Sequence, residues 1–141
     1  MFMGEYHHNI DDKGRIIIPS KLREELKDNC IITRGLDGCL FIYPKEEWDN
    51  VIHKYKELPD TKEKRQFLRI FLSGASMCEF DKQGRINVPR PLIDYAKLEG
   101  NCVIIGVDDR LELWSKNSWD NFIKDNEEGL SSIADKLFIN S

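Results

Sequence analysis

Little in this 141-residue chain suits it to a membrane, an oxidising compartment or an enzyme site. No apolar run approaches the roughly 18 residues needed to span a bilayer. The first residues lack a basic stretch followed by an apolar core, so no export signal is expected. Cysteine is sparse: Cys30, Cys39, Cys78 and Cys102 show neither Cys-x-x-Cys pairing nor metal-ligand spacing. They read as reduced, mostly buried thiols of a cytoplasmic protein rather than as disulfides. His7 and His8 are neighbours on a predicted strand, so their side chains face opposite ways and cannot hold one metal together. Gly14 and Gly84 stand singly, with no Gly-x-Gly-x-x-Gly or Walker pattern to cradle a phosphate. No Ser-His-Asp set or recognisable pair of carboxylates is present, so neither cofactor nor metal is expected and an enzyme is the weakest reading. An excess of positive charge is missing too: the net charge is −4, which taken alone argues against a nucleic-acid partner.

What is present changes that last conclusion. The cations are clustered. Lys62, Lys64, Arg65 and Arg69 stand against Glu63, and Lys82, Arg85, Arg90 and Lys97 against Asp81 and Asp94, whereas residues 108–128 are rich in acids. A polarised molecule fits this distribution, although solvated helix faces would look the same. The chain also contains the segment Asp11-Asp12-Lys13-Gly14-Arg15-Ile16-Ile17-Ile18-Pro19, which returns as Asp81-Lys82-Gln83-Gly84-Arg85-Ile86-Asn87-Val88-Pro89. Both read Asp-x-x-Gly-Arg, three residues, then Pro. Asp suits the first position of a type I turn and Gly the fourth, so tight reversals are predicted at 11–14 and 81–84. Each arginine then starts a short β-branched strand just past a hairpin tip. A cation fixed there twice points to an anionic partner, but a structural Asp–Arg pair stapling the turn explains the same residues equally well.

The remaining elements follow the same duplication. In the first half we predict strands at 5–10, 15–18, 30–35 and 40–43. Helices are predicted at 21–27, with Ser20 as N-cap, and at about 45–57 and 61–72. The second half repeats this with strands at 77–80, 85–88, 102–107 and 111–114. Its helices fall at 91–97, 116 to about 127, and about 130–137. At an offset of 71, Trp48-Asp49-Asn50 matches Trp119-Asp120-Asn121, which supports internal duplication. Trp48, Trp119 and the Phe67–Leu72 segment sit at helical spacing among apolar residues, and read as core or subunit-contact anchors rather than base-stacking groups. The tail from residue 131 has an apolar face, Ile133, Leu137 and Phe138, and is predicted to pack as a helix.

These residues resemble the MraZ family of bacterial regulators. The likeness is carried by the opening Met-Phe-Met-Gly-Glu-Tyr, the two Asp-x-x-Gly-Arg-x-x-x-Pro segments and the stretch 67–75. It covers essentially the whole chain. The resemblance implies an α+β fold: a duplicated AbrB-like swapped-hairpin, double-split β-barrel with flanking helices. Its repeats would be 1–73 and 74–141, each with its helical extension. It implies a transcriptional regulator, expected to be a repressor of the division and cell-wall gene cluster, that binds direct repeats in double-stranded DNA. It further implies a cytoplasmic, nucleoid-associated homo-oligomeric ring of about eight to twelve subunits.

Carried over onto this sequence, the DNA-binding motif falls on Asp11, Lys13 and Arg15, and on Asp81, Lys82 and Arg85. The arginines would meet a guanine edge or a phosphate, the lysines (with Lys21 or Arg23 as further candidates) would meet phosphate, and the aspartates would set the turn and hold the arginine. Lys13 is matched by Gln83, so the first hairpin is expected to contribute more. One negatively charged chain with two tips should bind weakly, and repetition around an oligomer would raise the effective concentration of tips. The rival reading is an antitoxin-like module of the same fold whose partner is another protein.

Overall fold

The computed structural model describes residues 1–139. Its strands are β1 (Glu5–Ile10), β2 (Arg15–Ile17), β3 (Asn29–Arg34), β4 (Leu40–Pro44), β5 (Ser76–Glu79), β6 (Arg85–Asn87), β7 (Gly100–Val107) and β8 (Arg110–Ser115). Its helices are α1 (Ser20–Leu26), α2 (Lys45–Lys56), α3 (Lys62–Ser73), α4 (Arg90–Ala96), α5 (Lys116–Asp125) and α6 (Gly129–Leu137). All strand ladders are antiparallel.

Both predicted reversals form, each closed by the Gly N–H donating to the Asp carbonyl at 3.0 Å. The strands flanking them then separate. β1 pairs with β7, and β5 pairs with β3, so the first strand of each half adds to the sheet of the other. β2 and β6 leave the large sheet and pair with each other. A simple hairpin, in which 15–18 returns along 5–10, is therefore not what the chain forms. The reason is that alternation marks the face a strand buries and not its partner. Three-residue strands such as β2 gain most by lying together over a shared core.

The six-stranded sheet runs β1-β7-β8-β4-β3-β5, an order that reads the same from either edge when the halves are exchanged. The registers obey the same exchange. Leu40 faces Leu113 and Ile42 faces Leu111 in the β4–β8 ladder, and Ile16 faces Ile86 in the ribbon. A pseudo-twofold axis therefore passes through Phe41·Glu112 and Ile16·Ile86.

One sheet face packs on α1, α4 and the inner face of the ribbon. Ile16, Ile18, Ile86 and Val88 are buried there with Leu22, Leu26, Leu92 and the sheet residues Ile32, Ile42 and Ile104. Each such aliphatic side chain contributes roughly 1.5–3 kcal/mol by leaving water. The opposite face is covered by α2, α3 and α5 and is aromatic. Trp48 stacks on Phe71 at 5.4 Å, Phe67 on the same ring at 5.1 Å, and Trp119 on Phe122 at 5.6 Å. Both duplicated tryptophans are thus packing groups.

Two local expectations change. Pro19 and Pro89, rather than Ser20, occupy the N-cap positions of α1 and α4, and neither gives a side-chain cap. The tail helix α6 forms, but the apolar face expected to pack stays exposed, with Ile133 43%, Leu137 72% and Phe138 65% accessible. No helix among the described residues is long and apolar enough to cross a membrane.

Candidate nucleic-acid interface

Each duplicated turn is built by its aspartate. Asp11 Oδ1 accepts the backbone N–H of Lys13 at 3.0 Å and of Arg15 at 2.8 Å, and Oδ2 accepts Arg15 Nε at 2.8 Å. Asp81 does the same with Gln83 at 2.9 Å, Arg85 N–H at 2.9 Å and Arg85 Nε at 2.8 Å. The backbone N–H of each arginine above all, then its guanidinium, hold both carboxyls below their usual value. Each carboxylate is thus fixed in its turn by three hydrogen bonds, one of them to the arginine side chain.

The glycines are required. Gly14 and Gly84 have φ of 80° and 78°. A Cβ on Gly14 would stand 2.9 Å from the Val88 carbonyl, and one on Gly84 would collide with the Arg23 guanidinium. The turns also lock one another, because Ile18 N–H donates to Gly84 O at 3.0 Å and Val88 N–H to Gly14 O at 2.7 Å.

The register decides where the arginines go. Arg15 lies opposite Asn87, and Ile17 opposite Arg85. With Ile16 and Ile86 turned inward, alternation puts Arg15, Ile17, Arg85 and Asn87 on the outer face of one ribbon. The two arginines are therefore not on independent tips. They lie on a diagonal of a single surface, with Cα atoms about 8 Å apart by standard sheet spacing. Their side chains are 35% and 25% exposed, so the guanidinium groups reach solvent. Among the described residues Nε is the only guanidinium nitrogen of either that is paired, leaving Nη1 and Nη2 to donate outward. Two Asp-braced forks on a two-stranded ribbon can grip phosphates or guanine edges, and a ribbon of this width fits the major groove.

The other predicted residues divide. Lys13, Lys82 and Lys21 are exposed, the first two at the turn tips. Arg23 is partly engaged and half-buried: its Nη1 donates to the Ile18 carbonyl at 2.6 Å and it lies against Gly84. Its counterpart Ile93 lies against Gly14 in the same way. Against the expectation that the first hairpin contributes more, Lys82 is matched by Asp12. Residues 11–15 sum to zero (Asp11, Asp12 against Lys13, Arg15), and residues 81–85 to +1 (Asp81 against Lys82, Arg85). The second turn is the more cationic.

Away from the ribbon, Asp28, Glu46, Glu47, Asp49, Asp108 and Asp109 line one acidic cleft. His7 Nε2 donates to Glu5 Oε2 at 2.7 Å on the surface. Among the described residues, no three His, Cys, Asp or Glu side chains gather in a metal-binding arrangement. All four cysteines are buried free thiols, and burial pushes Cys30 up to about 12 and Cys78 up to about 11. What sequence reasoning missed on the ribbon is the pair Ile17 and Asn87. Alternation from each arginine could have found them, but not their meeting across strands.

Comparison with known proteins agrees with the duplication. The family model for the MraZ protein, whose description adds an antitoxin-like character, matches the chain twice, over residues 1–70 and 71–140. A protein of Natranaerobius thermophilus named transcriptional regulator MraZ is 51% identical over 138 residues, covering 97% of this chain and 96% of that protein.

Proposed function

The chain belongs to the MraZ family, and from that premise we propose that it is a sequence-specific DNA-binding transcriptional regulator. The family is one of regulators and not of enzymes. The observation that carries the proposal is the meeting of Arg15 and Arg85 on one solvent-facing ribbon, each braced by an aspartate through Nε. The exchange of strands between halves supports the reading of residues 1–73 and 74–141 as two AbrB-like units in a swapped-hairpin, double-split barrel. Arg15 and Arg85 would meet guanine edges or phosphates, Lys13 and Lys82 phosphates, and Asp11 and Asp81 would orient. The regulated target would be the division and cell-wall gene cluster, repressed in the cytoplasm at the nucleoid. One ribbon on a chain of net charge −4 gives little affinity. A ring of about eight to twelve subunits would present several ribbons at once, favouring duplexes with evenly spaced direct repeats.

Titration of a promoter duplex with wild type and Arg15→Ala over a salt series tests this. The variant should lose at least about tenfold in affinity. A logarithmic salt slope flattened by about one identifies a phosphate contact, and lost discrimination between duplexes identifies a base contact. Wild-type binding by both Arg15→Ala and Arg85→Ala would overturn the assignment. The antitoxin-like wording of the family description, with the exposed apolar side chains of α6, favours a protein-binding module as the second reading. Stoichiometric capture of a partner protein without DNA binding would support it.

A further inference from the structure

The pseudo-twofold relation holds at the arginines and fails beside them. Positions 15 and 85 are both Arg, whereas the equivalent positions 17 and 87 are Ile and Asn. The register brings all four to one face, with the arginines on one diagonal and Ile17 and Asn87 on the other. We propose that Ile17 and Asn87 read base edges, Ile17 a thymine methyl and Asn87 an adenine, so that the element bound by each ribbon is asymmetric. This rests on the reading of the ribbon as the DNA-binding face.

Three observations support it. Ile17 is 39% exposed while its neighbours Ile16 and Ile18 are fully buried, so it is not a core residue and leaves an apolar branch between two cations. Asn87 is exposed, and among the described residues its side-chain amide makes no hydrogen bond; its Oδ1 stands beside Gly14 of the opposite turn, so a donor and an acceptor are unpaired at the ribbon. The spacing is also suitable: residues two apart on a strand are separated by about 6.7 Å, close to two base-pair steps. In the major groove, asparagine binds adenine N6 and N7 as a bidentate pair, and an aliphatic side chain packs on the C5 methyl of thymine. The braced arginines beside them suit guanine O6 and N7. The ribbon thus carries cation-and-amide on one cross-strand pair, Arg15·Asn87, and cation-and-methyl on the other, Arg85·Ile17.

The test is selection from a randomised duplex library by the full-length protein, followed by direct titration of the enriched sequences. Wild type should enrich an element whose two halves differ. Ile17→Asn and Asn87→Ile each make the outer face symmetric, and each should enrich an element with more twofold symmetry. Replacing thymine by uracil in the wild-type element should weaken wild type several-fold and leave Ile17→Asn unaffected. Asn87→Ala should lower preference for adenine roughly tenfold while keeping affinity for unrelated duplex. Thermal melts confirm that these surface variants remain folded. If the swapped variants enrich the wild-type element, or weaken on every duplex alike, the inference fails. That failure with Arg15→Ala still defective leaves the DNA-binding reading intact, whereas undiminished binding by both Arg15→Ala and Arg85→Ala removes reading and inference together.

Discussion

At the residue scale the Asp–Arg pairs are orienting devices. Each aspartate takes two backbone N–H groups and one Nε, so the arginine enters its strand with χ angles already restricted. Less freedom is then lost when the free end of the guanidinium meets a ligand. The depressed carboxyls also set a pH dependence whose sign follows from linkage. A group held below its ordinary value of 3.8 contributes stability that is complete above that value and is lost as pH falls through its folded-state pKa. Urea unfolding of wild type and Asp81→Asn should therefore differ by a constant amount well above pH 3.8, wild type being the more stable, with the gap narrowing as pH falls below 3.8. A gap that did not narrow with falling pH would show that Asp81 acts through geometry alone and not through its charge.

At the element scale the ribbon is the piece on which most depends. β2 and β6 contribute one inward side chain each, Ile16 and Ile86, and both are essentially inaccessible. Truncation of Ile86 to alanine should cost about 2–4 kcal/mol, by lost transfer and the cavity left behind. Asn87→Ala, one residue along on the outer face, should cost under about 0.5 kcal/mol. Equal losses for the two, measured by urea denaturation, would mean that the inner and outer faces of the ribbon have been misassigned. The same contrast explains how the outer face is free to diverge. Replacing Ile17 by Asn, or the reverse, leaves the packed interior untouched, so the two halves can differ there without harm to the fold.

At the scale of the whole molecule, the pseudo-twofold axis joins the halves into one body. The exchange of β1 and β5 means that neither half completes its own sheet. Charge is unevenly spread over this body, with an acidic cleft away from the ribbon and cations at the turns. Association with DNA should therefore fall steeply with salt. The α6 helix stands apart, its apolar side chains largely in water. The double variant Leu130→Ser, Leu137→Ser should change the unfolding free energy of the monomeric chain by less than about 0.5 kcal/mol. A larger loss at a concentration where the chain is monomeric would place α6 against the body of the protein.

Much of this was legible in the residues themselves. The order of strands and helices, both turns, the orienting aspartates and the duplication follow from local chemistry: Asp and Gly at fixed places in a turn, Pro before a helix, apolar residues at periods of two or about 3.6. Which strand pairs with which was not legible, because alternation specifies a buried face and is satisfied by any partner that completes the core. The same limit hid the meeting of Arg15 with Arg85, of Ile17 with Asn87, and of Arg23 with the opposite turn. The α6 helix failed in the other direction: its amphipathic pattern announced a packed element, but Leu130, Ile133 and Leu137 stay exposed. Sequence by itself determined the turns and the arginines they present. Only tertiary structure decided that two distant segments share one ribbon, since that choice is made by burial of Ile16 against Ile86 across seventy positions of chain.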